Sequence, residues 1–258
     1  MEKPLILITN DDGVFAPGLK ALIDIAKPMG DIVVVAPSEA QSGMSHAITI
    51  KNPLRLDLLE KNAECSIYRC NGTPVDCVKI AIDRILPRKP DLLLSGINHG
   101  SNTSVSVFYS GTMAAAIEGC MNKIPSIGLS LTDLSPNADF TASKKIAEQI
   151  IKKVMEQGIP QDRCLNVNIP AIGYNEIKGI KICRMADGMW VERFEQRFDP
   201  NNHEYYWLTG SFNNYEPEAA DTDEYAVTHE YVSIVPIHID FTSYKDIEVL
   251  TKWGLKKE

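Results

Sequence analysis

The chain opens on Pro4-Leu5-Ile6-Leu7-Ile8, an unbroken apolar run, and passes at once into Thr9-Asn10-Asp11-Asp12-Gly13. A continuous run of this kind marks a strand buried on both faces, as in a parallel sheet covered by helices. Helix-favouring sequence follows within a few residues. Two adjacent carboxylates are therefore expected at the C-terminal tip of a central strand, the edge at which open α/β sheets bind ligands. Neighbouring aspartates repel each other and are costly to desolvate unless a cation or hydrogen-bond donors neutralise them. A hard divalent cation such as Mg²⁺ or Mn²⁺ meets that need. The same letters also spell an Asn-Asp-Asp-Gly turn that caps a helix.

The alternation continues. Residues 17–26 place Leu19, Leu22, Ile23 and Ala26 on one helical face, with Pro17 suited to the first turn. Strand-like runs recur at 31–37, 91–96 and 124–131, and helical segments at 72–85, 111–119 and about 138–157. Residues 47–70 read as irregular or hairpin-like. The pattern predicts an α/β fold with a Rossmann-like, doubly wound, mostly parallel sheet. Beyond residue 184 the texture changes to aromatic and acidic residues with little helical period, which predicts β-hairpins, before a last strand at 232–240. The expected organisation is a catalytic core over 1–184 and a C-terminal β-rich extension over 185–258, with an oligomerisation hairpin and a returning segment.

A net charge of −8 argues against nucleic-acid polymers as partners. A small phosphorylated ligand remains compatible, because a metal reverses the local charge. No membrane span or secretory signal is legible. The cysteines Cys65, Cys70, Cys77, Cys120, Cys164 and Cys183 form no Cys-x-x-Cys pair. They read as buried thiols of a cytoplasmic protein.

Further polar loops follow the expected strands. Ser42 lies after the second, Asn98 after the 91–96 run, and Ser110-Gly111-Thr112 opens a helix. Asp11, Asp12, Ser42 and Asn98 thus converge on one sheet edge and offer only oxygen ligands, which suits Mg²⁺, Mn²⁺ or Ca²⁺ rather than zinc. Ser110, Gly111 and Thr112 at a helix N-terminus are suited to a phosphate. Each residue also has a plainer reading, as a turn former or an N-cap. The histidines show no ligand spacing. Of them, His99 sits beside Asn98, within reach of a substrate, although a loop histidine of this kind is more often simply solvated. Tyr205-Tyr206-Trp207 reads as core or interface.

Taken in order, these stretches resemble the SurE family of 5′-nucleotidases. The resemblance rests on Ile8 to Gly13 with Ala16-Pro17-Gly18, Val34-Val35-Ala36-Pro37 with Ser42-Gly43, and Gly72-Thr73-Pro74 with Asp76-Cys77-Val78. It continues through Ser95-Gly96-Ile97-Asn98 with Gly100 and Asn102, Tyr109-Ser110-Gly111-Thr112, Asp199-Pro200, and Thr222-Asp223. It implies one divalent metal per subunit on Asp11, Asp12, Ser42 and Asn98, and a phosphate on Ser110, Gly111 and Thr112, with Asn98 at the substrate. It implies hydrolysis of nucleoside 5′-monophosphates, with tolerance for other phosphomonoesters, in which Asp11 and Asp12 are the catalytic pair. It also implies a homodimer, or a tetramer, built by exchanged C-terminal segments. Glu230-Tyr231 stands where many relatives have a glycine, and Val235 where threonine is common. Two other readings use the same residues: a haloacid-dehalogenase-like phosphatase with Asp11 as covalent nucleophile, and a non-catalytic nucleotide or metal sensor.

Overall fold

The computed structural model describes residues 3–255. In chain order it contains β1 (Leu5–Thr9), α1 (Pro17–Ala26), β2 (Asp31–Pro37), β3 (Leu56–Lys61), β4 (Cys65–Cys70), α2 (Pro74–Ile80) and β5 (Leu92–His99). Next come α3 (Gly111–Met121), β6 (Ser126–Leu131), α4 (Thr141–Gln157), β7 (Arg163–Ile169) and β8 (Gly179–Ile182). The remainder is β9 (Gly188–Phe198), β10 (Glu204–Asn214), α5 (Asp223–Thr228), β11 (Tyr231–His238) and α6 (Tyr244–Thr251).

Nine strands form one sheet in the order β3-β4-β2-β1-β5-β6-β7-β11-β8. From β4 to β7 the neighbours are parallel, while β3 and β11 run antiparallel to β4 and β7. Alternate residues of the central strands feed opposite cores. Ile6, Ile8, Ile32 and Val34 pack with α1 and α4, whereas Leu5, Leu7, Val33 and Val35 pack with α2 and α3. Burial on both faces is why these strands read as continuous apolar runs. The chain order reverses at β1, which has β2 on one side and β5 on the other. That is the switch point where a crevice opens at the strand ends. The close fit is visible at Gly18, where a Cβ would lie 1.9 Å from the Ile97 carbonyl oxygen. Only glycine lets α1 approach β5 this closely.

The expected doubly wound sheet and C-terminal hairpin are present. Several details differ. Asn98 lies within β5, not beyond it, because the strand runs on to His99 past a bulge between Ser95 and Asn98. β8, α5 and α6 have no counterpart in the sequence reading. Each is short, and α6 has no buried residue, so neither length nor an apolar face marks them. β11 enters the sheet between β7 and β8, knitting the returning segment into the core. Just before it, Glu230 has φ +71°, the left-handed region that glycine prefers. β9 and β10 pair only with each other and project as a separate two-stranded sheet.

Candidate active site

Asp11 and Asp12 lie just past β1, and hydrogen bonds from three separate loops end on them. The Gln41 N–H donates to the Asp11 carbonyl at 2.7 Å, bringing in the loop that follows β2. The Thr112 hydroxyl donates to Asp11 Oδ1 at 2.5 Å, bringing in the start of α3. The His99 N–H donates to Asp12 Oδ2 at 3.2 Å, bringing in the end of β5. A Cβ on Gly111 would sit 2.8 Å from Asp11 Cβ, so glycine is what allows the helix to close on the carboxylate.

The electrostatics follow from this crowding. Asp11 is almost fully buried. Desolvation raises its pKa, against the Thr112 hydroxyl and the Gly111 and Thr112 amides, which favour the charged form. Asp12 is pushed up to about 6, first by burial and then by the charge of Asp11, with the His99 amide opposing. Two carboxylates held together in this way need a compensating cation. The Asn98 and Ser42 side chains offer oxygens, and His99 lies close enough to Asp12 to act on its charge. Asn98 commits its amide nitrogen to the Gly100 carbonyl at 2.8 Å, which leaves the amide oxygen to offer a metal. Ser42 is exposed in the loop fastened by Gln41. Beneath the pair, Thr9 Oγ1, Asn10 Oδ1 and Ser95 Oγ are buried without hydrogen-bond partners. The donor set fits a hard divalent cation. Among the described residues no trio of His, Cys, Asp and Glu gathers as a metal cluster, consistent with ligands that include serine and asparagine.

The Ser110-Gly111-Thr112 segment divides its labour. Ser110 Oγ accepts from the Met113 N–H at 3.0 Å and is the N-cap of α3. Gly111 and Thr112 face Asp11. The His99 ring packs edge-on against Phe140 with centroids 5.2 Å apart. Tyr205, Tyr206 and Trp207 are exposed on β10, away from any core.

A profile for Survival protein SurE matches residues 6–192. The chain belongs to the SurE family. It is 51% identical over 256 residues to a 5′-nucleotidase SurE of Christiangramia forsetii, covering 98% of each chain. It is 49% identical over 258 residues to a 5′-nucleotidase SurE of Flavobacterium psychrophilum, covering 100% of both. The crystal structure of a SurE protein from Aquifex aeolicus superposes with a TM-score of 0.84 at 40% identity, over 98% of this chain and 100% of that one.

Sequence reasoning assigned no role to three residues whose contacts only the structure shows, although Asn102 and Asp223 lie in the stretches that carry the SurE resemblance. Asn102 is held by an amide network: its N–H donates to Asn168 Oδ1 at 2.7 Å, its side chain donates to Ser130 Oγ at 2.8 Å, and Asn166 Nδ2 donates to its carbonyl at 2.7 Å. Asp223, fully buried, accepts from the Ser104, Ala186 and Glu224 amides, each at 2.9 Å. Glu118, on α3, accepts from Lys79 at 2.8 Å and pairs with His46 at 3.0 Å. Burial alone would raise its pKa. The contacts to His46, Lys79 and Asn122 outweigh that and hold it at about 2. Most of these partners come from distant parts of the chain, so no local spacing announces the contacts.

Proposed function

We propose that this SurE-family chain is a divalent-metal-dependent phosphomonoester hydrolase, a 5′-nucleotidase that converts nucleoside 5′-monophosphates to nucleoside and phosphate. The observation that carries the proposal is the crowded Asp11–Asp12 pair, with both pKa values raised and Asn98 at the end of the adjoining strand β5. The names of the relatives support the substrate class. Asp11, Asp12, Ser42 and Asn98 hold one Mg²⁺ or Mn²⁺ per subunit, which supplies electrophilic assistance to phosphoryl transfer and activates water. Thr112 and the start of α3 hold Asp11 in place. Ser110, Gly111 and Thr112 form the phosphate-binding edge, together with Asn98. Asp12, which has fewer hydrogen-bond donors than Asp11, is placed to orient or deprotonate the attacking water. Nothing near the pair reads a particular base, so selectivity among nucleotides is loose and other phosphomonoesters are accepted.

Residues 1–184 carry this site, and residues 185–258 build a homo-oligomer, a dimer or a tetramer. The exposed Phe194, Tyr206, Trp207 and Leu208 on the hairpin, and Ile247, Leu250 and Trp253 on and after α6, support that assignment. An isolated hairpin is marginal in water and gains stability by docking on a neighbour. The six cysteines are all buried free thiols, which fits a reducing cytoplasmic setting. No described helix is long and apolar enough to cross a membrane.

A phosphate-release screen over nucleotides and simple phosphoesters, after chelation and with Mn²⁺ or Mg²⁺ restored, tests the activity. Release that depends on added metal and includes nucleoside monophosphates is expected. Full activity after exhaustive chelation, or turnover of non-nucleotide esters alone, overturns the reading.

A further inference from the structure

The segment from 38 to 50 carries Ser42, yet it has no regular secondary structure and no buried residue. Packing therefore does not fix its position, and its polar anchors must do so. At its start the Gln41 N–H meets the Asp11 carbonyl. At its end Thr49 donates to both carboxylate oxygens of Asp76, at 3.0 and 2.6 Å, and the Ala47 carbonyl accepts from the Thr73 hydroxyl at 2.8 Å. Between these, Ser45 donates its hydroxyl to the Phe108 carbonyl at 2.6 Å, and His46 Nε2 lies 3.0 Å from Glu118 Oε2. Glu118 stands on α3, less than two turns from Thr112, which binds Asp11. One rigid helix thus holds a metal-site carboxylate at its N-terminal end and the middle of the Ser42 loop further along. The other carboxylate oxygen of Glu118, Oε1, receives Lys79 and Asn122, so the carboxylate stays fixed with or without His46.

We propose that the His46–Glu118 contact is a latch that holds the Ser42 loop against α3, making His46 a positioning residue that sets the affinity of the site for a divalent cation. This rests on the metal reading above. A hydrogen bond to a buried charged group, lost from a loop that only polar contacts hold, predicts about tenfold weaker cation binding. The ligands themselves are untouched, so turnover recovers at saturating metal.

The test is Mn²⁺ titration calorimetry on the purified full chain, with amide hydrogen exchange over residues 41–48 in metal-free protein. His46→Ala is expected to weaken Mn²⁺ binding about tenfold and to speed exchange in the loop, while kcat at saturating Mn²⁺ is retained. His46→Gln keeps a donor that can reach Glu118 and should recover most of the affinity. Lys79→Met removes the other ion pair of Glu118 without touching the loop and should bind Mn²⁺ as wild type does. Equal affinity in His46→Ala and wild type overturns the latch alone, as does a Lys79→Met variant as weak as His46→Ala. A wild type that binds no Mn²⁺ overturns the metal reading and the latch with it.

Discussion

The Thr112 hydroxyl donates a 2.5 Å hydrogen bond to Asp11 Oδ1, joining the first turn of α3 to the tip of β1. Asp11 is buried, so this bond and the amides beside it favour its charged form against desolvation and hold it aimed. Thr112→Val preserves shape and removes the donor. A hydrogen bond to a charged group is worth about 1.5–3 kcal/mol, so phosphate release should fall about 10- to 100-fold. Steady-state kinetics at saturating metal measures this, and an unchanged kcat would count against the assigned role.

Asp12 carries an electrostatic cost in metal-free protein. Its pKa is raised from 3.8 to about 6, so its charged form is disfavoured by folding. The sign follows from linkage: the stabilising effect of its protonation is fully present below about pH 4 and is lost as pH rises through 6. At pH 8, Asp12→Asn should therefore raise the melting temperature of chelated protein by at least about 2 °C while abolishing most activity. Added Mn²⁺ should raise the melting temperature of wild type and not that of the variant. Differential scanning calorimetry with and without chelator checks both arms.

Glu118 behaves in the opposite sense. Its pKa is held at about 2, below the ordinary 4.5, so its contribution is present above pH 4.5 and disappears as pH falls towards 2. Urea unfolding at pH 5 and pH 3 should show wild type losing on the order of 1–2 kcal/mol more than Glu118→Gln. Parallel pH profiles for the two proteins would contradict the charge-stabilised contact.

Asp223 ties the loop after β5 to the root of the hairpin, through the amides of Ser104 and Ala186. Asp223→Ala leaves buried N–H groups without acceptors and should cost about 3 kcal/mol or more. Asp223→Asn retains one acceptor oxygen and should cost less. Chemical denaturation of the two variants ranks them.

The β9–β10 hairpin sets Phe194 opposite Leu208 with both exposed, a pair that suits contact with another subunit. Phe194→Glu combined with Leu208→Lys should shift sedimentation equilibrium at micromolar concentration towards the monomer, and should leave Mn²⁺ affinity within about twofold. A wild-type protein that sediments as a clean 28.6 kDa monomer would rule out the proposed assembly.

The apolar runs at 5–9, 31–37 and 92–94 announced a sheet buried on both faces, because each such residue packs into one core or the other. The same runs located Asp11 and Asp12 at a strand tip, since a strand ends where its apolar sequence ends. Glycine and proline punctuation marked the starts of α1, α2 and α3. Sequence periodicity reports what a single element buries. It carries no record of which distant residue completes a hydrogen bond. The partners of Asp12 and Asp11 lie 87 and 101 residues away, and His46 meets Glu118 across 72. The insertion of β11 between β7 and β8 is likewise a matter of pairing, which an apolar strand pattern leaves open. The residue types at the site were therefore determined by the sequence. Their mutual support, the raised pKa values and the latch on the Ser42 loop were decided by tertiary structure, because burial and long-range hydrogen bonding exist only after the chain has closed on itself.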